Sequence, residues 1–213
     1  MSSLRSLGLW LVAVKILSNS TEALAMPDLF LFGVGNMANL EATNLPDPLF
    51  TRGSLGLGEG FGLEFRFGKW IGLEVDALYV SRNINQDFSS LGVVKLESKY
   101  FNLPVQLSLH LGRYLFISGG VYAAAGIGSV TLTDPAGEVV QSSFSDAQLI
   151  RTDLGVVFSA GFNIPINSWA SLTLQGRYQR GLKNVGFEIP ADSNIQFSDL
   201  MSIVGLKIAF SKK

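Results

Sequence analysis

One stretch constrains this chain more than any other: residues 100–128, YFNLPVQLSLHLGRYLFISGGVYAAAGIG. Between positions 101 and 111 every odd residue is apolar (Phe101, Leu103, Val105, Leu107, Leu109, Leu111). The residues between them are Asn102, Pro104, Gln106, Ser108 and His110. A period of two sends the two sets to opposite faces of a β-strand. Gly112-Arg113 is a tight-turn signal, and Tyr114-Leu115-Phe116-Ile117-Ser118 begins an antiparallel return. The apolar face is as long as a tilted strand needs to cross a bilayer, about nine to eleven residues. Its opposite face is polar but nearly uncharged. A strand with an apolar outer face and a polar inner one is the wall of a transmembrane barrel.

Composition agrees with that reading. Apolar residues make up 47% of the chain and charged ones 15%, where a soluble domain averages about 25% charged. No uninterrupted apolar run reaches the roughly 18 residues of a spanning helix. Glycine is frequent, 23 of 213 residues, which disfavours helices and suits bends and close approach in sheets. The net charge of −1 comes without a basic block, so nucleic acid is excluded as a partner. With no cysteine, disulfides, thiolate metal sites and cysteine nucleophiles are excluded as well. Neither a phosphate-binding GxxxxGK[ST] nor a GxSxG is present, and no cofactor or metal is expected. The length suits one domain.

The N-terminus reads as a secretory signal. Arg5 supplies the charged start, residues 7–17 the apolar centre, and Ala23-Leu24-Ala25 a small-x-small cleavage site. Lys15 within the apolar centre departs from the pattern. The expected division is a cleaved signal over 1–25 and a barrel over 26–213.

Alternation places eight strands at about 29–36, 54–67, 70–82, 93–111, 114–132, 151–164, 169–182 and 198–210. Tight turns fall at Gly68-Lys69, Gly112-Arg113 and 165–168; long polar connections fall at 37–52, 83–92, 133–150 and 183–197. Alternating long and tight connections are the signature of outer-membrane barrels, and an even strand count leaves both termini in the periplasm. The expected fold is therefore all-β, an eight-stranded antiparallel up-and-down transmembrane β-barrel of the cell outer membrane. Trp70, Tyr114 and Trp169 stand beside the three tight turns, where a periplasmic-side aromatic girdle belongs. Gly56-Leu57-Gly58-Glu59-Gly60 is read as room for a bulge or for bulky neighbours. The alternative is a soluble lipocalin-like periplasmic barrel whose apolar faces line a ligand cavity. Its other face would need more Lys and Glu than this chain provides.

The segments Tyr100-Phe101-Asn102-Leu103-Pro104-Val105, Gly119-Gly120-Val121-Tyr122 and Leu172-Thr173-Leu174-Gln175-Gly176-Arg177-Tyr178, followed by Gly181-Leu182, resemble motifs of small outer-membrane β-barrel families, above all the PorT-like group. The resemblance spans most of the mature chain. It implies an eight-stranded barrel and a role in the envelope or in secretion. Gly205, Ile208 and Phe210 look like the terminal signal by which the insertion machinery recognises barrels, with Ser211-Lys212-Lys213 as a departing tail.

Inward-facing charges are the strongest site candidates: Glu64, Arg66, Glu74, Asp76, Asp153, Arg177 and Lys207. Eight strands enclose only enough space for side chains, and buried charges must pair. The expectation is a structural charge network, with Arg66 or Arg177 paired to Glu74 or Asp76, rather than an ion path. Ser108-x-His110 resembles the Ser/His arrangement of barrel lipid-A deacylases, but it falls near the periplasmic turn and no third partner is evident. The expected protein is a non-enzymatic monomer touching membrane lipids and the insertion machinery. Its long loops, carrying Phe50, Phe88, Phe144 and Phe187, would meet an unidentified extracellular ligand.

Overall fold

The computed structural model describes residues 26–43, 50–88, 92–147, 151–182 and 194–210. Nine strands follow one another: β1 Asp28–Thr43, β2 Phe50–Phe67, β3 Ile71–Phe88, β4 Gly92–Leu111, β5 Leu115–Thr133, β6 Val139–Ser142, β7 Thr152–Pro165, β8 Ala170–Gly181 and β9 Asn194–Ile208. The sheet runs β4-β3-β2-β1-β9-β8-β7-β5, and a further β4–β5 pairing closes it. Eight antiparallel strands thus form the ring. The four-residue β6 stands outside it and, among the described residues, pairs only with β5.

Closure follows from the turns. Gly68 and Gly112 both have φ of +78°, a left-handed conformation that glycine adopts without steric cost, and each opens a three-residue turn between Phe67 and Ile71 or Leu111 and Leu115. The three aromatics at these turns tie each hairpin to the next strand through their carbonyls. Trp70 accepts from the His110 N–H at 2.7 Å, Tyr114 from Asn163 at 2.7 Å and Trp169 from Ala209 at 2.8 Å. Their rings are exposed.

Alternation has the expected sense. On β4, Phe101 through Leu111 project their apolar side chains outward, while Asn102, Gln106, Ser108 and His110 are buried inside. The outer faces of β5, β7 and β9 repeat this with Leu115, Ile117, Val121, Leu154, Phe158, Phe162, Val204 and Leu206. A lipocalin-type barrel has the inverse arrangement, so the soluble alternative does not describe this molecule.

The strands extend past their expected ends. Segment 37–52 is largely the upper part of β1 and β2, and 83–92 is mostly strand. Segment 133–150 contains β6, and β9 begins at Asn194. Above the bilayer the outer face meets water and turns polar while the inner face, at Ala38, Ile84, Leu96 and Phe197, stays buried and apolar, so the membrane pattern of apolar outside and polar inside ends while the backbone ladder continues. The glycine-rich run on β2 coincides with a register break between Ser54 and Gly58 against β3. The signal over 1–25, the tail 211–213 and Phe187 lie outside the described residues.

Candidate functional site

The barrel interior is filled by three tiers of ion pairs beneath an aromatic cap. The tier at the periplasmic mouth joins Glu64 of β2, Asp28 of β1 and Lys207 of β9. Lys207 Nζ contacts Glu64 and lies 3.1 Å from Asp28. Arg66, still partly exposed at the mouth, reaches Glu64 at 3.3 Å and Asp28 at 3.5 Å. His110 closes the tier, its Nε2 2.5 Å from Glu64 Oε1 and its Nδ1 3.2 Å from Arg66. Below it a vestibule of about 450 Å³ opens among Arg66, Arg113, Asn163 and Trp169.

The middle tier centres on Arg177 of β8. Its Nη2 donates to Glu74 at 2.9 Å and to Asp76 at 2.7 Å, both from β3. Gln106 donates to Glu74 at 3.3 Å and accepts from the Ser159 hydroxyl at 2.5 Å.

The outer tier centres on Arg82 of β3, which is wholly buried. It donates to Asp199 of β9 at 2.5 Å and lies 2.9 Å from Asp153 of β7. The Tyr122 hydroxyl donates to Asp153 at 2.9 Å, and Asn36 donates to Asp199 at 3.2 Å. The Arg82 guanidinium sits 4.5 Å from the Tyr100 ring centre and 4.3 Å from that of Phe197, a desolvated cation between two aromatic faces. Phe144 completes the cap edge-on to Tyr100, with ring centres 5.7 Å apart. It reaches this place from the segment after β6 because Gly126 has no side chain; a Cβ there would run into the Phe144 ring.

Of the seven charges expected inside, Glu64, Glu74, Asp76, Asp153, Arg177 and Lys207 are buried and Arg66 is half-buried. Arg177 pairs with Glu74 and Asp76, whereas Arg66 pairs with Glu64 and Asp28 instead. The sequence reading missed Arg82, Asp199 and Asp28. Parity was the available signal. Arg82 shares a face with Glu74 and Asp76, and Asp199 shares one with Lys207, but each stood at or next to an expected strand end. Phe144, expected on an exposed loop, is buried in the cap. Phe50 is the first residue of β2 and Phe88 the last of β3, so both belong to strands rather than loops.

Ser108 and His110 are both buried at the periplasmic end. Glu64 is an acidic partner for His110 that sequence reasoning did not find. The Ser108 hydroxyl, however, has no hydrogen-bond partner among the described residues, so the nucleophile–base contact of a hydrolytic triad is not formed. Among those residues no group of three or more His, Cys, Asp and Glu could hold a metal ion. Gly205 and Ile208 pair with β1 and β8 on the last strand, and Phe210 is exposed just beyond it.

A closed ring of eight strands, apolar outside and ionic inside, defines a small transmembrane β-barrel. The family model for the outer membrane protein beta-barrel domain matches residues 32–186. The chain belongs to that family and is a protein of the outer membrane in contact with its lipids. Among solved structures, the outer membrane protein OprG from Pseudomonas aeruginosa superposes with a TM-score of 0.53 at 12% identity, covering 87% of this chain and 96% of that one. Neisserial surface protein A gives 0.49 at 11% identity, over 85% and 97%. AlkL, solved in DMPC lipid bilayers, gives 0.49 at 16%, over 90% and 93%. No curated protein matches the sequence.

Proposed function

We propose that this protein is a sealed, monomeric, non-enzymatic barrel that presents a raised β-palisade to a ligand outside the cell. The observation that carries the reading is unequal strand length. Strands β2, β3, β4 and β5 have 18, 18, 20 and 19 residues, against 14 and 12 for β7 and β8. A bilayer needs about nine to eleven residues per strand, so β2–β5 rise well above it on one side while β7 barely clears it. The interior below is closed by three ion-pair tiers and the Tyr100–Phe144–Phe197 cap, which leaves the exposed rim as the working surface. Among members of the family, the PorT-like motifs point to an envelope or secretion setting. Export with cleavage after Ala25, and insertion through Gly205, Ile208 and Phe210, belong to the same reading.

Planar-bilayer recording of the refolded protein tests the seal. The expected result is no unitary conductance, and a steady open pore overturns the proposal. A variant with 83–97 shortened to a tight hairpin should insert and fold as before while losing the surface phenotype of the intact protein.

A further inference from the structure

The vestibule at the periplasmic mouth has a floor and a wall. The floor is the tier of Asp28, Arg66 and Lys207. The wall is Arg113, on the turn between β4 and β5, with Asn163 near the end of β7 and Asn167 in the turn that follows it. The Asn163 N–H donates to the Tyr114 carbonyl at 2.7 Å and so joins the two parts of the wall. Trp169 stands on the rim with its ring exposed at the level of the girdle. The polar groups left uncommitted around this space are mostly donors. The Asn163 side-chain carbonyl accepts from the Thr173 hydroxyl at 2.8 Å, and that of Asn167 accepts from the N–H groups of Trp169 and Ala170 at 2.9 and 2.7 Å. Each amide therefore keeps its NH2 as the free end. Arg66 uses Nε on Glu64 and Nη2 on His110, which leaves Nη1. Arg113 has no acidic partner among the described residues, and its guanidinium lies 5.9 Å from the Tyr114 ring centre. Asp28, the acid of the lining, is already held by Lys207 and Arg66. Glu64 and Asp28 balance Lys207 and Arg66, so the charge of Arg113 stands unopposed.

We infer that the vestibule is a binding site for a phosphate group, held by Arg66 and Arg113 and by the amides of Asn163 and Asn167. The argument is an excess of donors and of positive charge around one enclosed space. Guanidinium and amide donors line it from the floor and from both parts of the wall. The several oxygens of a phosphate can meet donors on all these sides, whereas the two of a carboxylate cannot. The volume of about 450 Å³ is that of a small-molecule site. Two sources offer this chemistry at the periplasmic mouth. One is a free phosphate ester of the periplasm, and the other is the headgroup of an inner-leaflet phospholipid, which lies at the level of the Trp169 ring.

Trp169 reports occupancy directly. With Trp10→Phe and Trp70→Phe it becomes the sole indole of the full chain. That protein is refolded in a maltoside detergent, which carries no phosphate. It is then titrated with glycerol 3-phosphate and, separately, with dihexanoyl phosphatidylglycerol below its micelle concentration. The expected result is a saturable change in Trp169 emission. Arg113→Gln should weaken binding about tenfold, the worth of one charge-assisted hydrogen bond. Asn167→Asp keeps the acceptor that holds the turn but replaces the NH2 donor with an anionic oxygen. It should weaken binding about a hundredfold, because it sets like charges together. Phosphatidylglycerol binding about tenfold or more tighter than glycerol 3-phosphate assigns the site to lipid headgroups, and a smaller difference assigns it to free esters. The inference is overturned if neither probe gives a saturable change, or if acetate, or sodium chloride of equal ionic strength, gives the same one. It is equally overturned if Arg113→Gln or Asn167→Asp binds as tightly as the unaltered protein. Folding of each variant is checked by its heat-dependent gel shift, and Asn163→Asp, which keeps the bond from Thr173, takes over should Asn167→Asp not fold.

Discussion

Arg177 is the residue on which the middle of the barrel depends. Two buried carboxylates share its one guanidinium, so the tier holds one acid more than it can pair. Removing the arginine leaves both carboxylates without a cation, which typically costs about 3–5 kcal/mol. Removing one acid relieves a like-charge contact. Arg177→Ala should therefore lower the unfolding midpoint in urea sharply, while Glu74→Gln leaves it unchanged or raises it. Equal losses from the two variants would mean that the tier is not organised around the arginine. His110 plays a lesser part, contacting Glu64 and Arg66 at the mouth. His110→Ala should cost about 1–3 kcal/mol, the usual penalty for orphaning a buried polar partner. The lipid A of cells expressing that variant should be unmodified relative to cells with the unaltered protein.

Single elements show where the chain can be read and where it cannot. Within the bilayer, lipid on one side and a crowded interior on the other force every strand into strict alternation, so β4 and β7 were legible residue by residue. Above the bilayer that contrast is lost, which hid the upper ends of β1, β2 and β3 and made their residues look like loops. Arg82 and Asp199 were obscured for the same reason, since each lies where alternation stops being informative. Phe144 is a different case. Its burial depends on Gly126, 18 positions earlier, and on Tyr100 across the barrel, a relation no local pattern encodes. The cap it forms is an addition to the ring rather than part of it, because residues 143–147 belong to no ring strand. Phe144→Ala should accordingly leave the heat-dependent gel shift intact. It should also expose the 143–147 segment to limited proteolysis, where the unaltered protein resists; protection at the original level would place the anchoring elsewhere.

The whole molecule is a cylinder set in depth by two polar boundaries. The exposed rings of Trp70, Tyr114 and Trp169 mark the periplasmic one. The other is drawn where charges first return to the outer wall, at Glu59 of β2, Lys99 of β4 and Arg180 of β8, all exposed. Between these levels the described outer faces carry no charge, and the separation along each strand matches the span of a bilayer. Depth can therefore be tested by moving charge. An arginine on the lipid face costs about 2–4 kcal/mol at the midplane and about 0–1 near the interfaces. Leu107 of β4, four positions from the strand's periplasmic end at Leu111, and Val121 of β5 sit well inside the apolar band. Tyr79 of β3 sits at its outer edge beside the Lys99 ammonium, 5.8 Å from the ring centre. Leu107→Arg and Val121→Arg should each lower stability in phospholipid vesicles by the midplane amount, and Tyr79→Arg by much less. In detergent micelles, which adapt to the inserted charge, the three should differ little. Equal penalties at all three positions in vesicles would mean that the barrel sits at a different depth from the one its girdle and charge ring define.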